Sequence, residues 1–211
     1  ESDLGCRIAA AGGDDDGIRG SEEEEYWRSV KGSILNNIGW TFLKEKEFER
    51  CQRTFRHALE VLLKASGGDE HVPLATSNGT DGRMVGNSLL LRFCSAITLC
   101  NMAALLSQTK ELDIAVQALN PAVELFKSTP QLDEHFVVTT YNGIALIHST
   151  MKQYYDAISA YERALNYLDE LAEDGVCTSE DAVQTLGKMR LVYLDSGDTK
   201  AAAMCLRMIV T

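Results

Sequence analysis

The sequence predicts an all-α fold made of about four helix pairs. Three observations carry that expectation. Apolar residues recur at three- and four-residue spacing along most of the chain, proline occurs only 3 times in 211 residues, and one frame of small and large residues returns four times. No stretch shows the period-two alternation of a half-buried strand. A chain of this length is one domain or a short repeat array, with enough residues to bury a real core.

Residues 1–20, with Gly12-Gly13-Asp14-Asp15-Asp16-Gly17 and little apolar periodicity, read as an acidic, solvated, flexible tail. Order is expected from Ser21. Ser21 and Glu24 fit a capping box, and Glu22 to Glu25 put negative charge at the positive end of a helix. Tyr26, Trp27, Val30, Ile34, Leu35 and Ile38 then follow at helical spacing. Ser66 to Gly82, rich in Gly, Ser, Asn and Asp and holding Pro73, reads as a long exposed loop. Further junctions are expected at Pro130 and at Glu173-Asp174-Gly175.

The repeating frame is explicit. Leu35-x-x-Ile38-Gly39-x-x-Phe42 precedes Phe48-x-x-Cys51-x-x-x-Phe55-x-x-Ala58-Leu59. Leu99-x-x-Met102-Ala103-x-x-Leu106 precedes Leu112-x-x-Ala115-x-x-x-Leu119-x-x-Ala122-Val123. Tyr141-x-x-Ile144-Ala145-x-x-His148 precedes Tyr154-x-x-Ala157-x-x-x-Tyr161-x-x-Ala164-Leu165. The fourth copy departs most, with Leu186-x-x-Met189-Arg190-x-x-Tyr193 before Thr199-x-x-Ala202-x-x-x-Leu206-x-x-Ile209. Each copy reads as two helices around a tight turn, and the domain 21–211 divides into pairs at about 29–65, 85–127, 133–172 and 179–211. Small residues such as Gly39, Ala103 and Ala145 suit a close helix crossing, and large ones fill the gaps beside it. Pro121, inside the second helix of the second copy, is expected to kink or break it near Ala118-Leu119, since proline lacks the donor and crowds the preceding turn.

Charge and composition exclude several functions. With 31 Asp+Glu against 20 Lys+Arg the net charge is −11, which argues against nucleic acid and against an electrostatic grip on anionic membrane. No run is expected to reach the length and apolarity of a membrane span, and no basic-then-apolar leader is present. The chain opens on Glu1 rather than Met, the expectation for a piece of a longer protein. The six cysteines (Cys6, Cys51, Cys94, Cys100, Cys177, Cys205) show no metal or redox spacing and read as small hydrophobes of a reduced intracellular protein. Asn78-Gly79-Thr80 matches a glycosylation acceptor but stands without any other sign of secretion. His57, His71, His135 and His148 show no metal spacing and no evident carboxylate partner, with His148 read as a packed ring. The glycine pairs lack the strand-turn-helix context and lysine of a phosphate loop. No catalytic residue, metal or cofactor is therefore expected.

The spacing and residue choice resemble the tetratricopeptide repeat, over roughly the last four-fifths of the chain. The resemblance implies a right-handed superhelix that binds other proteins. The copies start near 32, 96, 138 and 183, wider than the family's repeat of about 34, so the superhelix is expected to be irregular. Little room for a polar capping helix follows Leu206, Ile209 and Val210, so this apolar edge is expected to meet a partner or a continuation of the chain.

In this family the first helix of each pair lines the concave face. The matching positions are Ser33, Asn36, Asn37, Trp40 and Lys44; then Ile97, Asn101, Ala104 and Gln108; then Thr139, Asn142, Leu146 and Thr150; then Gln184, Lys188, Leu191 and Asp195. Asn37 and Asn101 fall at equivalent positions and Asn142 one residue away, so a ladder of amides gripping an extended peptide backbone competes with amides that only satisfy their own neighbours. Trp40 either faces the groove or packs on Trp27 or the next repeat. The chaperone carboxylate clamp of the family would need lysine at Asn36 and Thr139 and arginine at Gly143, so it is rejected. Leu186-Gly187-Lys188-Met189-Arg190 with Gly197-Asp198-Thr199-Lys200-x-Ala202 resembles the tetratricopeptide subunits of TRAPP vesicle-tethering complexes. That resemblance implies a cytoplasmic scaffold, peripheral to endoplasmic reticulum and Golgi membranes through protein contacts. The partner-contacting residues expected are thus Asn37, Trp40, Asn101, Asn142, Leu206 and Ile209.

Overall fold

The computed structural model describes residues 15–63, 89–129, 135–173 and 179–210. They form eight α-helices: α1 (Asp15–Lys44), α2 (Phe48–Leu63), α3 (Leu89–Gln108), α4 (Leu112–Lys127), α5 (His135–Thr150), α6 (Tyr154–Glu173), α7 (Ser179–Ser196) and α8 (Thr199–Val210). No strand occurs among the described residues. The all-α expectation holds, and the helices pair where the frame puts them. The long 66–82 loop, Pro130, Cys6, Cys177, His71 and the 78–80 acceptor lie outside the described residues.

Tight turns join the two helices of every pair, and all four have one geometry. The second turn residue takes positive φ: Lys46 at 60°, Lys110 at 66°, Lys152 at 61° and Gly197 at 86°. The next amide bonds back five residues, Glu47 to the Phe42 carbonyl (2.9 Å), Glu111 to Leu106 (2.8 Å), Gln153 to His148 (2.9 Å) and Asp198 to Tyr193 (2.8 Å). This is the Schellman ending, which satisfies the last carbonyls of the first helix. The residue that closes it also starts the second helix, its carbonyl accepting from Cys51, Ala115, Ala157 or Ala202. Asp198 adds a side-chain cap, accepting from the Ala201 amide at 2.9 Å, whereas Glu111 makes none.

The chain divides into two compact units, Glu1–Ser95 and Ala96–Thr211. In the first, α1 packs along α2. A Cβ on Gly39 would stand 2.5 Å from the Phe55 ring, and one on Gly32 2.4 Å from Leu62. Glycine at these two positions is what lets α1 approach α2 so closely. Phe55, Leu59 and Leu62 are thereby buried, and Leu62 continues into a cluster with Leu91 and Cys94 at the start of α3. Arg28 donates to the Val61 and Leu62 carbonyls at 3.2 and 3.3 Å, a cation on the negative end of α2.

In the second unit α5 packs on α6 and α7 on α8, and the joints between pairs are α4 on α5 and α6 on α7. Alanines at 115, 118, 122, 157, 160, 164 and 202 are all buried, small residues where second helices meet their neighbours. Phe126 stacks on Phe136 with ring centroids 5.0 Å apart at the α4–α5 joint.

Four expectations are corrected. Helix α1 starts at Asp15, six residues before Ser21, so Ser21 lies inside the helix rather than at its start. Helix α4 runs unbroken through Pro121 with Ala118 and Leu119 buried, because the ring lies on the exposed face and the freed Gln117 carbonyl belongs to an exposed residue. Helix α3 does have the length and apolar composition of a membrane span; half of it is buried within the protein, the situation of a core helix in a repeat array. Finally, Trp27, Ile34 and Ile38 are exposed rather than core residues.

Candidate functional site

In the first unit the groove positions of α1 separate by burial. Asn36 is buried, while Asn37, Trp40 and Lys44 are exposed. Trp40 does not pack on Trp27. Its ring instead lies 5.9 Å from the Lys44 ammonium, whereas Trp27 makes an edge contact with Tyr26 at 5.5 Å and donates to Glu23 Oε1 at 3.4 Å.

In the second unit the concave positions of α5 and α7 are mostly open. Thr139, Leu146 and Thr150 on α5 and Gln184, Lys188, Leu191 and Asp195 on α7 are exposed. Leu146 and Leu191 occupy the same register on these two helices and show 62% and 56% of their surface, an apolar pair in an otherwise polar, nearly uncharged lining. Asn101 is half-buried. Asn142 is held between helices: its Nδ2 donates to Thr185 Oγ1 at 3.1 Å, and its Oδ1 is buried with no hydrogen-bond partner among the described residues. An amide so placed serves the α5–α7 contact first, and its orphaned oxygen carries a desolvation cost. Of the three asparagines, Asn37 alone is fully open on its helix.

The α7–α8 edge is the other exposed surface. Leu206 is 47% exposed, although its register equivalents Phe55, Leu119 and Tyr161 are buried. Val210, Leu194 and Val183 are exposed nearby, and Ile209 is half-buried.

Two features escaped the sequence. His135 Nδ1 stands 3.1 Å from Asp181 Oδ2, and His57 is 3.9 Å from Glu60, so two histidines do meet carboxylates. The first pair joins residues 46 apart, brought together because α5 and α7 lie side by side, and no spacing rule could show it. His148 Nδ1 donates to Gln153 Oε1 at 2.7 Å, across its turn. The second feature is a cleft of about 390 Å³ between α4, α5 and α6, lined by Lys127, Tyr141, Arg163, Asn166, Tyr167 and Glu170. The Tyr141 hydroxyl bonds the Lys127 ammonium and raises its pKa, with the cation 5.4 Å from the ring centroid. Glu124 and Glu170 nearly balance its cations, so it has no net pull on an anion. Among the described residues no three His, Cys, Asp or Glu gather closely enough to hold a metal ion.

Paired helices, uniform turns and small-residue crossings define a helical-repeat protein. Residues 94–170 match the tetratricopeptide-repeat family model, so this stretch is a tetratricopeptide-repeat array. No curated protein sequence matches the chain. Among solved structures it is similar to BtubC from P. vanneervenii, with a TM-score of 0.64 at 18% identity over 86% of this chain and 63% of that one. It is also similar to the apo form of RapI (TM-score 0.63, 13% identity, 86% of this chain and 42% of that one). A third is aspartyl phosphate phosphatase F from Bacillus subtilis (TM-score 0.58, 16% identity, 84% and 39%). The chain thus spans less than two-thirds of each of these proteins. At these identities the likeness is one of fold, and the phosphatase name belongs to that protein alone. No specific complex and no vesicle-tethering protein appears among these neighbours.

Proposed function

We propose that this chain is a non-enzymatic scaffold that holds other proteins in a larger intracellular assembly, through the apolar edge of its last helix pair. The observation that carries the reading is Leu206: the frame makes it a core residue in every other copy, and here nearly half of it is open. An exposed apolar edge on a repeat array is a surface made to be covered. The narrower placement, a cytoplasmic tethering subunit at endoplasmic reticulum or Golgi membranes, rests on the residues Leu186 to Arg190 and Gly197 to Ala202 alone.

A second reading, a receptor for an extended peptide, is favoured by one feature. Exposed Leu146 stands one helical turn from Asn142, whose Oδ1 lacks a partner among the described residues, and exposed Leu191 holds the same register on α7. The two readings separate by mutation. Affinity purification of the tagged protein from its own cells should lose its partners with Leu206→Asp/Ile209→Asp and keep them with Asn37→Ala/Asn101→Ala/Asn142→Ala. The reverse result selects the peptide receptor, and partners that survive both triple and double changes refute both readings.

A further inference from the structure

The internal joints of the second unit repeat one contact between successive first helices. Cys100 Sγ meets Thr140 Oγ1 at 3.7 Å, and Asn142 Nδ2 meets Thr185 Oγ1 at 3.1 Å. In the frame, Cys100, Asn142 and Gly187 are equivalent, and so are Thr140, Thr185 and Ile34. Gly187 and Ile34 stand at the two sides of this contact that the joints of the second unit do not use. Their chemistry changes together. At both internal joints the pair is polar and small on each side, whereas the two unused sides are a glycine and an isoleucine. A Cβ on Gly187 would meet nothing within 4 Å, and Ile34 projects 55% of its surface. A bulky apolar side chain on one face and an empty, side-chain-free position on the other are matching shapes.

The rest of the two faces follows the same register. Ile38 is 42% exposed, but its equivalents Ile144 and Met189, on helices that follow another pair, are 5% and 6% exposed. At the α4–α5 joint, Leu119 reaches within 3.7 Å of where a Cβ on Gly143 would stand. The equivalent of Leu119 is Leu206 on α8, and that of Gly143 is Asn37 on α1. So α1 presents the receiving side of a pair-to-pair joint, with Ile34 and Ile38 open beside the exposed amide of Asn37, and α7–α8 presents the covering side, with Leu206 and Val210 open.

We propose that the open face of α1 (Trp27, Ile34, Ile38) receives the α7–α8 edge (Gly187, Leu206, Val210) of a second copy of this chain, in the register of the internal joints. This rests on the reading of the α7–α8 edge as an interaction surface and names its occupant. The interface is heterologous, so a pair held by one such contact keeps one face of each kind open, and assembly continues until a ring closes or as an open series.

The test is the mass of the purified chain by light scattering over a wide concentration range. The wild type should rise above its 23.2 kDa and pass twice that value. Gly187→Glu fills the empty position and should leave a monomer whose thermal midpoint is unchanged or raised, because glycine is a poor helix-interior residue. Ile34→Asp, with Ile38→Asp as a second α1 variant, should also be monomeric with full helical circular dichroism. An equimolar mixture of Ile34→Asp and Gly187→Glu should form a dimer and stop there, since each supplies the one face the other retains. A wild type that stays monomeric overturns the proposal, as does either variant that assembles like the wild type, or a mixture that stays monomeric while the wild type associates. A monomeric wild type whose cellular partners are still lost with Leu206→Asp/Ile209→Asp refutes the self-docking and leaves the scaffold reading standing.

Discussion

Three lysines in the interhelix turns offer the sharpest test of the backbone. Lys46, Lys110 and Lys152 sit at φ of 60–66°, and their side chains are exposed, so replacing them removes little packing. A residue with a Cβ in the left-handed region costs about 1–2 kcal/mol. Glycine escapes that cost but loses more chain entropy on folding, a debit of about 0.4–1 kcal/mol. The difference predicts that Lys46→Gly, Lys110→Gly and Lys152→Gly each stabilise the fold by about 0.5–1 kcal/mol. The turns belong to different pairs, so the gains should add to about 2 kcal/mol in the triple variant. For a chain near 200 residues that is a rise of about 4–8 °C in Tm, readable by circular dichroism at 222 nm. Lysine-to-alanine variants at the same sites control for lost charge and should leave Tm nearly unchanged. Gly197→Ala is the reciprocal experiment: with φ at 86° and nothing else to gain, it should cost about 1 kcal/mol. Glycine variants that lower Tm, or alanine variants that raise it equally, would refute the reasoning.

Other consequences can be measured directly. Gly39→Ala forces a methyl to within 2.5 Å of the buried Phe55 ring and should cost about 1–3 kcal/mol in urea melts. Thr185→Val removes the acceptor of the Asn142 amide, leaving a part-buried amide unpaired, and should cost about 1–3 kcal/mol; a neutral result would mean that water serves the amide equally well. Burial raises the Cys51 and Cys100 thiols from 9.0 to about 11. The folded state thus keeps protons that the unfolded state gives up, so the contribution is complete below pH 9 and is lost as pH climbs toward 11. Denaturation midpoints should fall through that window, less steeply with Cys51→Ala/Cys100→Ala when each is compared with its own midpoint at pH 8. The same thiols should resist alkylation at pH 8 until the protein is unfolded.

Helix pairing was legible because two periodicities coincide in the sequence. The 3.6-residue apolar spacing marks each helix, and the alternation of Gly39, Ala103 and Ala145 with Phe55, Leu119 and Tyr161 marks which helices cross closely. The turn positions were legible too, as short charged interruptions, but their left-handed geometry was not: lysine carries no propensity for it, and the conformation is imposed by the two helices that the turn must join. Pro121 shows the limit of a local rule, since an exposed face tolerates a lost hydrogen bond that a buried one would not. The concave positions were assigned by register, and α5 and α7 expose most of them, but register could not show that Asn142 would be drawn onto Thr185.

What the sequence determined by itself is therefore the set of helices, their pairing and the face of each that is apolar, because these follow from nearest-neighbour spacing along the chain. What only tertiary structure decided is which apolar faces are covered. Ile38, Ile144 and Met189 are one position in the repeat and look alike in sequence, and Leu206 stands in line with Leu119 and Tyr161. Burial belongs to the neighbour rather than to the residue: a helix that follows another pair hides this stripe, and α1 and α8 leave theirs open.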